Sequence, residues 1–256
     1  MPHPLDATKA RRLVDIVTAL GRGASFRNLL RQSARENVIR ENETLRRYLD
    51  LLVLSGVLKM RTREVGSVHP QQLYSVASDT PRVSVGLACL RRHGLNWEIP
   101  EKQMHIVPTD FEGLARSRVI DSVLSACLED CLIHVFHDDC KHSTGATSFV
   151  VAMISTRKVD LPYLIRRADE IRVGTALRLL FRRILNIVSS KEPKLSASAF
   201  LPVRTQFLKI VRQYAQRSFW RLVGERGVGD LGVDIVNNLT EHEIVMAAGK
   251  QLGVLG

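Results

Sequence analysis

A chain of 256 residues with 45% hydrophobic residues is too long for one small module and too apolar to be disordered; it suits two domains, or one domain with a helical extension. No apolar run is long enough to span a bilayer, the N-terminus MPHPLDATKARR has no apolar core segment, and four cysteines are too few for a disulfide framework, so the sequence predicts a cytoplasmic protein without membrane span or signal peptide. The net charge of +11 is unevenly spread: residues 8–63 carry 13 Lys/Arg against 5 Asp/Glu, residues 64–156 carry 7 against 11, and residues 157–226 carry 16 against 5. Two basic blocks around an acidic middle point to a polyanionic partner, the bland alternative being a basic protein with solvated faces.

Residues 8–20 place Leu13, Ile16, Val17 and Leu20 on one helical stripe, with Thr8 as cap and Gly21 as stop. After the turn GRGAS, a second helix is expected over 26–36, with Phe26, Leu29, Leu30 and Ala34 as its apolar positions. A polar stretch follows, and Asn42 then caps a third helix over 43–55 that turns Leu45, Leu49, Leu52 and Val53 inward and stops at Gly56. Strand-like runs at 57–63 and 72–77 flank a Gly/Ser/His/Pro loop. Three short helices and a hairpin, in that order, make the plan of a winged helix-turn-helix domain over residues 1–78.

The stretch NETLRRYLDLLVLSGVLKMRTR resembles the recognition helix and first wing strand of winged-helix regulators. That resemblance implies double-stranded DNA as partner, with the start of the third helix in the major groove. Glu43, Thr44, Arg46 and Arg47 point away from its apolar stripe and are the candidate base readers. Arg61 and Arg63 on the wing strand, His69 in its loop, and Arg27 and Arg31 on the second helix complete the candidate DNA-binding set. The competing reading makes these arginines solvated and the module a scaffold for protein contacts.

From 79 to 256 the sequence predicts a mainly helical domain with a few short strands, giving an α+β chain overall. RVSVGLACLRRHGLNWEIP reads as a short helix broken by Gly94, MHIVP at 104–108 as a strand, and 110–136 as one or two apolar helices that include VIDSVLSACL. TSFVVAMIS at 147–155 is either strand or buried helix. Asp160 and Pro162 start a helix over 160–171, interrupted at Gly174, and basic amphipathic helices follow over 175–188 and 207–223. Arg178, Arg182, Arg183, Lys209, Arg212 and Arg217 on these helices are expected to form a second basic surface, suited to an acidic protein partner or a second stretch of DNA. A homodimer would equally supply two recognition helices.

The order of His93-Gly94-Leu95, Ile99-Pro100 and Val107, followed by Asp160-Leu161 with Leu164, resembles the antitoxins of AbiE-type abortive-infection systems, the type IV toxin–antitoxin class. The resemblance implies a DNA-binding autorepressor whose partner is a nucleotidyltransferase-type toxin.

Cys127, Cys131, His134, His137 and Cys140 lie close together in CLEDCLIHVFHDDCKHS, and such donors suit zinc. Apolar residues alternate around the histidines as core residues would, and no second knuckle of paired cysteines exists, so the cluster reads as packing rather than a metal site. No Walker, GxGxxG or GxSxG motif is present. The expectation is a non-enzyme without cofactor.

Overall fold

The computed structural model describes residues 5–63 except Arg22, 70–94, 105–139 and 159–189, with scattered positions between 205 and 246. The apolar run 147–155 lies outside the described residues, as does nearly all of the helix expected over 207–223. The chain forms two compact units, Met1–Cys127 and Leu128–Gly256.

The first unit opens with α1 (Ala7–Leu20), which buries Ala10, Leu13, Val14, Ile16 and Val17. Its cap is Asp6, not Thr8: the extended backbone of Asp6 lets its carboxylate accept the N–H groups of Thr8 and Lys9 at 2.9 and 3.2 Å. Gly21, at φ +75°, ends the helix in a conformation few other residues adopt. Leu20, at the end of the stripe, stays exposed.

The GRGAS segment contains a two-residue strand, β1 (Ala24–Ser25), that the sequence did not predict. Ser25 both closes this strand and caps α2 (Phe26–Arg35) by accepting the N–H of Asn28 at 3.3 Å. Next comes α3 (Asn42–Leu54), burying Leu45, Tyr48, Leu49 and Leu52. Asn42 lies inside it; the cap position is Glu41, whose carboxylate accepts from the Thr44 hydroxyl at 2.9 Å. Strands β2 (Leu58–Arg63) and β3 (Gln71–Val76) pair antiparallel, and β1 pairs with the other edge of β3. The sheet order is β1-β3-β2.

A second, mixed sheet follows. It is built from β4 (Arg82–Val85), β5 (His105–Pro108), β6 (Arg118–Ile120) and β7 (Val123–Ser125) in the order β5-β4-β7-β6. Two short helices, α4 (Leu87–Arg92) and α5 (Phe111–Arg116), sit within this stretch. Two sequence expectations fail here. RVSV is a strand, separated from its helix at Gly86, where φ is +98°. VIDSVLSACL is a hairpin, not a helix: Asp121 and Ser122 both take positive φ, 51° and 61°, and turn β6 back onto β7. The first unit therefore runs past residue 78. Arg82 N–H donates to Ser55 O at the end of α3 (3.0 Å), and Ala126 N–H donates to Ser84 O (2.9 Å).

The described part of the second unit is helical: α6 (Leu128–Asp139), α7 (Leu161–Glu170) and α8 (Gly174–Ser189). Asp160 caps α7 as expected, accepting the N–H of Tyr163 at 3.2 Å. Buried Asp130 on α6 accepts from Tyr163 Oη (2.9 Å) and Arg167 Nε (3.0 Å), which ties α6 to α7 by charge as well as apolar contact. The protein is thus a mixed α and β chain, with two small sheets among the described residues.

Candidate nucleic-acid interface

On α3 the apolar residues fall on one side, leaving Glu43, Arg46, Arg47 and Asp50 at successive spacings of three, one and three residues along the opposite side. Glu43, Arg46 and Asp50 are exposed, and Arg47 is half-buried. Thr44, half-buried beside them, has its hydroxyl committed to Glu41. Arg46 does not swing freely: its guanidinium lies 5.6 Å from the centroid of the Phe26 ring, a cation–π contact that fixes it against the start of α2.

Arg46 and Asp50 line a concavity of about 540 Å³ together with Ser25, Phe26 and Arg27 from the start of α2 and Thr62, Pro70, Gln71 and Gln72 from the hairpin. The buried Tyr74 senses two of these residues. Its hydroxyl donates to Gln72 Oε1 at 3.1 Å, and its pKa is raised, first by burial and then by the charge of Asp50, with Arg46 opposing. The concavity is therefore walled by both donors and acceptors.

The structure brings some of the expected DNA-binding residues together and separates others. Arg27 joins Arg46 in the concavity, and Arg31 lies exposed one turn further along α2. Arg61 and Arg63 do not join them. In β2 Thr62 shares a face with Leu58 and Met60, so strand alternation turns Lys59, Arg61 and Arg63 to the reverse face. His69 lies outside the described residues. Phe26 was expected only as an apolar position of its helix, and Asp50, Thr62, Gln71 and Gln72 had no expected role. Asp50 alone carried a signal there, since it repeats the position of Glu43 two turns later.

The expected second basic surface is altered more deeply. Arg178 is 6% exposed, and its guanidinium forks onto both carboxylate oxygens of Asp169, with Nη2 to Oδ2 at 2.6 Å. It therefore belongs to the interior of the unit and not to a cationic face. Arg183 is half-buried and donates to Leu239 O, and Arg182 is also half-buried. Lys209, Arg212 and Arg217 lie outside the described residues. Helical periodicity marks a residue as polar, but the partner of Arg178 sits nine residues back, across a turn, where periodicity says nothing.

In the Cys/His stretch, Cys131 is buried, Cys127 half-buried, and Cys140 outside the described residues. His137 Nδ1 lies 3.5 Å from the carboxylate of Asp138. Burial pushes the pKa of His134 down, with Asp130 and Asp138 opposing and His137 and Arg167 adding to the shift. Among the described residues, Cys127, Cys131, His134 and His137 form no group of three converging ligand atoms between themselves.

No helix of the described residues is long and apolar enough to cross a membrane. No protein-family model, no curated protein and no solved structure matches the chain.

Proposed function

We propose that the protein is a transcriptional regulator whose N-terminal segment, to about residue 78, is a winged helix-turn-helix that binds duplex DNA. One observation carries this reading: the start of α2, the outer side of α3 and the β2–β3 hairpin share a single concave face that holds Arg27 and Arg46. The element order α1-β1-α2-α3-β2-β3 supports it, since three helices followed by a hairpin is the plan expected of such a domain. The charge of residues 8–63, with 13 cations against 5 anions, supplies the attraction to a phosphate backbone.

The decisive experiment is a salt titration of binding to a labelled duplex from the gene's own upstream region, with a scrambled duplex as control. We expect tighter binding to the upstream DNA, and a slope of log affinity against log salt that becomes shallower in the double variant Arg46→Ala/Arg47→Ala. Equal affinity for both duplexes would sink the sequence-specific reading. The family resemblance extends the proposal to an autorepressing antitoxin, for which a nucleotidyltransferase gene next door is the test. Docking of an acidic protein on α8 has weaker support, because Arg178 and Arg183 already hold internal partners.

A further inference from the structure

We propose that Asp50 is a specificity-determining residue that, with Arg46, reads one G·C base pair; this rests on α3 being the element that meets the bases. The first support is the distribution of charge. The exposed face of α2 carries Arg27, Arg31 and Arg35, four residues apart, and the helix FRNLLRQSAR contains no acidic residue. A uniformly cationic row of that kind suits phosphates, whose contacts carry no sequence information. The outer side of α3 differs, because Glu43, Arg46, Arg47 and Asp50 present two anions and two cations. A carboxylate repels phosphate, so a helix whose task was only to grip the backbone would be weakened by Asp50.

The second support is the setting of the carboxylate. Among the described residues Asp50 makes no ion pair, although Arg46 sits one turn away on the same helix and lines the same concavity. Arg46 is held instead by the ring of Phe26. Arg46 and Asp50 stand about 6 Å apart along the helix axis, one offering a fork of donors and the other an acceptor. In the major groove a guanine offers two acceptors, N7 and O6, to an arginine, and its cytosine offers the N4 amino group to a carboxylate. Neighbouring edges of one base pair thus match the neighbouring groups on α3. Gln72 and Thr62 line the same concavity as the acceptor.

The test is selection from a random duplex library with the full-length wild type and with Asp50→Asn, followed by affinity measurements on the enriched sequences. The amide of asparagine is suited to the N6 and N7 edge of adenine rather than to cytosine N4. At one position the variant should lose the wild-type preference for G·C, roughly tenfold in relative affinity, and gain tolerance of adenine. Its binding to scrambled DNA should tighten, since a repulsive charge has gone. Asp50 is exposed, so an unchanged thermal melt is expected and checks that the fold is intact. If wild type and variant enrich the same motif, Asp50 reads nothing and the inference fails while DNA recognition stands. If the wild type enriches no motif, sequence-specific recognition itself fails, and this inference with it.

Discussion

A β-carbon on Gly174 would run into Asp169 Oδ1 and stand 2.8 Å from Arg178 Nη1, so any other residue here must displace the Asp169–Arg178 pair. The pair closes the turn between α7 and α8, where Arg172 takes φ +63°. Replacing glycine by alanine near a helix start ordinarily stabilises, by up to about 1 kcal/mol. Here the sign should reverse. We predict that Gly174→Ala lowers stability by about 2 kcal/mol, because Asp169 is pushed off the buried guanidinium of Arg178. Denaturant midpoints of wild type and variant decide it, and an unchanged or raised midpoint would show that the carboxylate simply moves aside.

Along α2 the like charges at Arg27, Arg31 and Arg35 repel one another, each neighbouring pair costing the isolated helix a few tenths of a kcal/mol. An anionic partner relieves that cost. We predict that Arg27→Ala and Arg31→Ala each lower the salt slope of DNA binding by about 0.9 and leave sequence preference unchanged. A change in the preferred motif would instead make these residues base readers. The helices α1, α2 and α3 were legible in the sequence because their apolar residues recur at helical spacing and because Gly21 and Gly56 punctuate them. The strands were harder. Two residues, Ala24 and Ser25, cannot show a period of two, and β1 exists only because β3 offers it a free edge. In VIDSVLSACL the apolar residues imitate a helix, and an Asp-Ser turn lacks the glycine that usually announces a hairpin. The concave site was half legible: Arg27 and Arg46 stand out as cations, whereas Gln71, Gln72 and Thr62 acquire meaning only when the hairpin folds back towards α3.

At the scale of the whole molecule, two histidines place opposite pH dependences in its two units. In the second unit, burial lowers the pKa of His134, so the unfolded chain takes up the proton first as pH falls below about 6.5, and stability drops with it. In the first unit His93 is raised. The largest cause is its hydrogen bond with Cys89; burial opposes, and the contact of Nε2 with Ala126 O at 2.8 Å adds to the rise. Its contribution is fully present below the unfolded value and fades as pH rises through the folded one. We predict that His134→Gln flattens the acid-side loss of stability between about pH 7 and pH 5, measured by denaturant midpoints at several pH values. An equal acid-side loss in this variant and the wild type would assign the loss to other groups.

The sheet order β1-β3-β2 has one more outcome, for how many copies of this chain can share a solution. Among the described residues strand β3 is paired on both edges, so of the two outer strands the longer is β2, six residues with five of them exposed. An open strand of that length is a template on which another copy could add its own strand and begin a fibril. Lys59, Arg61 and Arg63 occupy every second position of it. A second copy docking antiparallel would bring its own three cations against them. The arginines that turn away from α3 thus set a charge repulsion against growth of the sheet through β2.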